Sequence, residues 1–256
     1  MVEQMTNVRV NESKRPRAGR RFSPVAEKEL RSDALRAAHG LPGAHRGMSI
    51  YGEVAGPFGI PDFLVVVGPR SLLRHRTALS VPPLLNEVDA GIVARASIRL
   101  GRNAETLAEQ LGWEVGTVER RLPGLVRSGA LTDLGAGRYV RPAALAPIGR
   151  LYAVETKIRD FRRALRQART YALWCDNYVI VMPALSEAAL GGAIDAVARD
   201  RGGLVIKGRW VQRPGGRRIP PAPRLWGSEH LVAATMRADS PALGASKAVE
   251  AKRQLA

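Results

Sequence analysis

Apolar and polar positions follow two different periods along this chain, and together they predict an α/β protein. Residues 25–38 repeat apolar positions at helical spacing, and the preceding Ser23-Pro24 is a typical helix start. Residues 48–67 instead predict two strands around a Gly/Pro-rich turn. The second strand, FLVVV, has no polar position, which is typical of a strand covered on both faces.

The second half of the chain alternates strand and helix patterns in the same way. The predicted elements are a strand at 150–158, a helix at 160–174, a strand at 177–183, a helix at 186–200 and a strand at 203–212. A Pro-rich segment at 214–224 predicts irregular structure. The composition of the two ends predicts a disordered basic arm at 1–22 and a flexible tail at 227–256.

The middle of the chain has a different organisation, which indicates an inserted domain. A basic loop at 68–80 precedes three predicted helices and a hairpin, at 84–100, 103–111, 115–129 and 130–142. Removing residues 68–149 leaves a coherent core from 23–67 and 150–226. We therefore expect the two strands that flank the insert to be antiparallel neighbours, because an insert needs its ends close together. Residues 84–145 should then fold alone.

The charge of the chain narrows the class of partner. It has 40 Lys and Arg against 23 Asp and Glu, a net charge of +17, which predicts a polyanionic partner and favours nucleic acid over a membrane or an acidic protein. The one cysteine excludes an intramolecular disulfide and fits a reducing cytoplasm. No apolar run approaches the ~20 residues of a membrane span. We expect a cytoplasmic protein, with monomer and homodimer both open.

Two carboxylates and a lysine form the candidate chemical site. Glu155 and Lys157 lie two positions apart in an apolar strand and therefore share one face, while Asp62 opens the strand FLVVV. Charges on such a strand cost free energy unless they are paired, hydrated or bound to a metal. Paired carboxylates suit Mg²⁺, with Mn²⁺ as an alternative and the backbone carbonyl of Thr156 as a third ligand. Lys157 would hold or help deprotonate a water bound to the ion, and it would offset the charge that builds on a phosphate.

These residues carry a family resemblance. Pro61-Asp62 followed by Glu155-Thr156-Lys157 resembles the PD-(D/E)XK nuclease superfamily, and Gln167 with Tyr171 is similar to the Gln-x-x-x-Tyr feature of its RecB-like members. The resemblance covers the residues outside the insert and implies a restriction-endonuclease-like mixed-sheet core of the α/β class. The insert at 68–149 is predicted separately as a winged helix-turn-helix domain. The resemblance also implies Mg²⁺-dependent cleavage of DNA, with Gln167 and Tyr171 in the catalytic site. A glutamate of the first helix would join the metal ligands, and Glu27 and Glu29 are the alternatives. The long gap between Asp62 and Glu155 departs from the family pattern.

The insert itself is similar to winged-helix proteins, in which the second helix of a pair enters the major groove. Gly135 and Gly137 would form the tip of the wing, and Pro123 should kink the recognition helix. A small helical bundle that binds protein is the alternative. Candidate DNA contacts come from the insert and from the basic helix that follows the site: Arg120, Arg121, Arg127, Arg138, Arg162, Arg163 and Arg166.

Two functions from different classes fit these features. The first is a metal-dependent DNA endonuclease whose winged helix binds the target. The second is a non-catalytic DNA-binding regulator built on a decayed nuclease scaffold. The simultaneous presence of Asp62, Glu155 and Lys157 favours the enzyme. A zinc site with cysteine ligands and a GxxxxGK[ST] nucleotide loop are both missing from the sequence.

Overall fold

The computed structural model describes residues 25–239, with side chains from 30 to 238. Its helices are α1 (Val25–Ala38), α2 (Arg70–Thr77), α3 (Glu87–Arg95), α4 (Ala104–Leu111), α5 (Val115–Arg127), α6 (Phe161–Tyr171), α7 (Glu187–Arg199) and α8 (Pro221–Asp239). Its strands are β1 (Met48–Gly52), β2 (Phe63–Val67), β3 (Thr132–Asp133), β4 (Tyr139–Val140), β5 (Arg150–Thr156), β6 (Asn177–Met182), β7 (Gly203–Ile206) and β8 (Arg209–Gln212). The predicted arm at 1–22 lies outside the described residues.

A mixed six-stranded sheet in the order β1-β2-β5-β6-β7-β8 organises the α/β part of the protein. The three central strands β5, β6 and β7 are parallel, and antiparallel strands complete the sheet at both edges. Alternate side chains of β2 enter two different cores, as the pleat requires. Val65 and Val67 pack with α1, while Leu64 and Val66 pack on the other face with Trp174 and residues of α8. This two-sided burial explains the fully apolar sequence of β2.

The chain leaves the sheet after β2 and returns to the neighbouring strand. Val67 pairs with Arg150 in the antiparallel β2–β5 ladder, which confirms the expected adjacency of the two flanking strands. Gly68 and Gly149 make this close junction, with φ of 146° and 50°. A Cβ atom at Gly149 would lie 2.6 Å from the carbonyl oxygen of Val67, so a side chain there would require the strands to shift.

The inserted segment contains three of the predicted helices, α3, α4 and α5, and the predicted hairpin, β3–β4. The Asn103 side chain accepts a hydrogen bond from the backbone of Thr106, and Gly112 ends α4 with a φ of 68°.

The prediction of a loop over 68–80 was wrong, because α2 occupies Arg70–Thr77. Residues 203–212 are likewise two strands, β7 and β8, joined by a tight turn at Lys207-Gly208.

Helix α8 corrects the domain boundaries. The prediction of a flexible tail from 227 was wrong for residues 227–239, which belong to this helix. Leu225 near its start packs in the core of the insert, whereas Leu231 and Val232 pack against the sheet. The core of the insert is therefore completed by a residue from outside 68–149, and the independent folding of residues 84–145 stays a prediction. Within the described residues, no helix is long and apolar enough to cross a membrane.

Candidate active site

The candidate site lies where β2 begins and β5 ends. These two ends meet because the strands are antiparallel neighbours, with Phe63 opposite Val154. Asp62 immediately precedes β2, and its Oδ2 accepts hydrogen bonds from both the backbone nitrogen and the hydroxyl of Thr156, each at 2.7 Å. Residues 94 positions apart in the sequence are thus in direct contact.

Glu155 is the central side chain of the site, and it is only 2% exposed. Lys157 Nζ donates to Glu155 Oε1 at 2.6 Å, and the Tyr171 hydroxyl lies 3.1 Å from Oε2. Burial raises the pKa of Glu155, and the negative charge of Asp62 raises this pKa further, although the contacts with Lys157 and Tyr171 oppose the shift. A cation beside these two carboxylates would offset both unfavourable effects.

Helix α6 brings Tyr171 to the site and carries Gln167 one turn before it. The Tyr171 hydroxyl lies 3.1 Å from Glu155 Oε2 and also 3.1 Å from the carbonyl oxygen of Ile60. Its single hydrogen can be donated to one of these oxygens at a time. Gln167 lies one helical turn earlier on the same face. Its Oε1 atom is buried without a hydrogen-bond partner among the described residues, which is unusual for a buried amide.

The donor set fits a hydrated divalent cation. Mg²⁺ usually takes one or two protein carboxylates and keeps several of its waters, and Asp62 with Glu155 supply two carboxylates. The described side chains contain no group of three or more His, Cys, Asp or Glu residues that could hold a metal, so they do not form an all-protein cage. Glu27 and Glu29 both lie in α1, but their side chains are outside the described part of the chain. The roles of Glu27 and of the Thr156 carbonyl remain predictions.

The predicted DNA-contacting arginines lie on exposed positions of two regions. Those of the insert are Arg120, Arg121, Arg127 and Arg138, and those of α6 are Arg162, Arg163 and Arg166. Arg121 has a partner that the sequence did not predict: two of its nitrogens donate to Asp89, at 2.7 and 2.6 Å. The hydrogen bond to Asp89 also raises the pKa of Arg121. A phosphate would therefore compete with Asp89 for this side chain.

Pro123 lies inside α5, the second helix of the α4–α5 pair, and the kink expected there stays a prediction. Helix α5 continues past Pro123 to Arg127, and the proline occupies an exposed position.

Arg141, beside the hairpin, has a structural role instead of an exposed one. Its Nε donates to the carbonyl of Ala96 and its Nη1 to that of Leu145. Burial lowers the pKa of Arg141.

Sequence reasoning missed the loop at residues 53–61, which joins β1 to β2 and ends beside Asp62. Phe58 and Ile60 on this loop are 41% and 51% exposed, although both are large and apolar. The Gly and Pro residues of the segment indicated a turn and gave no sign of an exposed apolar surface. The sequence did contain a signal for this surface, because an aromatic residue, Phe58, and a β-branched residue, Ile60, both lie within three positions of Pro61.

The structure thus brings Asp62, Glu155, Lys157 and Tyr171 together where β2 begins and β5 ends, and it places Gln167 one helical turn from Tyr171. The exposed arginines of α6 follow the site in sequence, and those of the insert lie on separate elements. No family model, no curated protein and no solved structure matches this chain.

Proposed function

We propose that this protein is a metal-dependent DNA endonuclease with a restriction-endonuclease-like core and an inserted winged helix that binds the target. One observation carries the proposal. A buried glutamate, Glu155, is held between a lysine and a tyrosine, next to a second carboxylate that is remote in sequence. Such an arrangement is costly in the metal-free protein, because a buried carboxylate lies beside a second negative charge.

Asp62 and Glu155 would hold Mg²⁺, with Mn²⁺ as a substitute. The ion would supply positive charge at the scissile phosphate and lower the pKa of a water molecule. Lys157 would donate to a phosphate oxygen and offset the charge that develops there. Thr156 fixes the Asp62 carboxylate through two hydrogen bonds, and Tyr171 orients Glu155. These contacts are of the kind that keeps metal ligands in a productive orientation.

DNA is the substrate that best fits the charge of the surroundings. The chain has a net charge of +17, and α6, which starts four residues after Lys157, exposes Arg162, Arg163 and Arg166. In the insert, α4 and α5 would form the helix-turn-helix and the β3–β4 hairpin the wing. Arg120, Arg127 and Arg138 are exposed there and would contact phosphates.

The test is cleavage of supercoiled plasmid in Mg²⁺ and in EDTA. Wild-type protein should nick the plasmid only in Mg²⁺, and Asp62→Asn, Glu155→Gln and Lys157→Met should each reduce the rate at least ~100-fold while retaining DNA binding. Asp195→Asn and Glu187→Gln, at exposed positions of α7, are the matched controls and should cleave normally.

The outcome also separates the two function classes. A wild-type protein that shifts the plasmid on a gel but never nicks it, in Mg²⁺ or Mn²⁺, would be the non-catalytic DNA-binding regulator. Cleavage by Glu155→Gln at the wild-type rate would remove this site from the reaction.

A further inference from the structure

The loop at residues 53–61 is fixed against the candidate site by its backbone. Trp174 Nε1 donates to the Phe58 carbonyl at 3.3 Å, and His230 Nδ1 lies 3.0 Å from the Ala55 carbonyl. The Tyr171 hydroxyl lies 3.1 Å from both the Ile60 carbonyl and Glu155 Oε2. One tyrosine therefore links the loop directly to the central carboxylate of the site.

The backbone of the loop also packs closely against two buried aromatic side chains, Trp174 and Tyr171. A Cβ atom at Gly56 would lie 2.2 Å from the Trp174 ring, and one at Gly59 would lie 2.9 Å from the Tyr171 ring. Gly59 has a φ of 84°, a conformation that favours glycine. The backbone thus lies directly on two aromatic rings. A loop held in this way can keep a side chain in a defined position against a ligand.

Two side chains of the loop, those of Phe58 and Ile60, are apolar and yet exposed. Ile60 is 51% exposed, and Phe58, which packs edge-on against Trp226 with ring centroids 5.5 Å apart, is 41% exposed. Ile60 lies two residues before Asp62 in the chain. A nucleotide whose phosphate lies at Asp62 and Glu155 would place its base, or a neighbouring base, close to these side chains. Apolar side chains that enter DNA between base steps are of this chemical type.

We infer that Ile60 and Phe58 contact nucleobases that are unstacked next to the scissile phosphate, and that the protein therefore prefers DNA with unpaired bases. This inference rests on the proposed function, and it adds to that function the class of DNA that the protein prefers to bind. Unpaired bases favour the contact because the cost of unstacking is smallest where a base has no partner. A partner protein on the same surface would give no such preference.

The test is the ratio of affinities for a fully paired duplex and for the same duplex with a central three-nucleotide bubble, measured by fluorescence polarisation in EDTA. The wild type should bind the bubble at least ~5-fold more tightly, as a single base contact can supply. Ile60→Ser should remove most of this preference. The matched control is Val211→Ser, since Val211 is 38% exposed on β8 at the opposite edge of the sheet. Equal melting temperatures would show that both variants are folded.

Each outcome bears on one claim. A wild type without a bubble preference, or a preference that Ile60→Ser leaves intact, overturns the role of the loop even if the plasmid is cleaved. Conversely, a bubble preference that depends on Ile60, in a protein that never cleaves, supports the base contact and refutes the endonuclease.

Discussion

Arg76 and Glu229 form an ion pair in which neither side chain has any solvent exposure. Arg76 Nε donates to Glu229 Oε1 at 2.8 Å, and Arg76 Nη2 donates to Oε2 at 2.6 Å. Arg76 Nη1 donates to the carbonyl of Val81, Arg76 Nη2 also donates to that of Pro82, and the backbone nitrogen of Leu84 donates to Glu229. The pair joins α2 and α8, and so joins the insert to the rest of the protein.

Breaking this pair from one side should destabilise the whole protein. Arg76→Met leaves a buried carboxylate without its cation, so we expect a loss of about 3–5 kcal/mol in the free energy of unfolding. Urea denaturation measures the loss. The double variant Arg76→Met/Glu229→Leu should be more stable than Arg76→Met alone, because it removes both charges. Arg121→Met, which breaks the exposed pair with Asp89, is the control and should cost about 1 kcal/mol or less.

The raised pKa of Glu155 predicts the pH dependence of stability. Burial and the charge of Asp62 favour the neutral carboxyl in the folded state, so the unfolded chain ionises at a lower pH than the folded one. The stability that this group contributes is full below its unfolded pKa and is lost as the pH rises through its folded pKa. In EDTA, Glu155→Gln should therefore gain stability over the wild type as the pH increases from 4 to 8.

Excess Mg²⁺ should reverse this trend by stabilising the wild type and not the variant, since an ion that binds only the folded protein stabilises it by mass action. Glu187→Gln, the exposed control on α7, should follow the wild-type profile with and without Mg²⁺. A constant difference between Glu155→Gln and wild type across the pH range would contradict the prediction.

The tyrosine on Glu155 should affect metal affinity more than folding. Tyr171→Phe removes the hydroxyl near Glu155 Oε2, and the Mg²⁺ concentration for half-maximal thermal stabilisation should rise about 10- to 100-fold. Tyr139→Phe is the control, because Tyr139 lies on β4 in the insert. A Tyr171→Phe variant that unfolds more readily but binds Mg²⁺ like the wild type would show that the hydroxyl only supports the loop at 53–61.

The exposed arginines of α6 should set the salt dependence of DNA binding. Each phosphate contact contributes a slope of about 0.9 to the plot of log affinity against log salt, so the triple variant of Arg162, Arg163 and Arg166 to Ala should flatten this slope by up to ~3. A control triple variant with the same change in charge replaces the exposed Arg199, Arg209 and Arg218. Equal slopes for the two variants would mean that α6 does not face DNA.

The strands of the sheet, and the meeting of Asp62 with the end of β5, were predictable because the strand signals are local. The unbroken apolar run of β2 and the alternation around Glu155 each occupy one short window, and strand adjacency then brings Asp62 to Thr156. Helices α2 and α8 were not predictable in this way. Arg76 and Glu229 are buried residues that interrupt the apolar pattern, and each finds its partner 153 positions away. No local window contains that information.

Backbone conformation limited the prediction elsewhere. Lys207 adopts a φ of 50° in the turn between β7 and β8, which is uncommon for a lysine, so residues 203–212 resembled one strand. Gly208 was the only local sign of the turn. The exposed surface of Phe58 and Ile60 required knowledge of the packing below it, on Trp174 and Tyr171, which are remote in sequence.

The position of α8 has a consequence for the order in which the protein is made. Chains are synthesised from the N-terminus, and early parts of a chain commonly fold before later parts emerge from the ribosome. Here the core of the insert needs Leu225, the sheet needs Leu231 and Val232, and Arg76 stays unpaired until Glu229 has been added. A nascent chain that ends before α8 therefore has the residues of both the insert and the sheet, without the helix that packs against both. We therefore expect the insert and the sheet to assemble only after translation has passed residue 229.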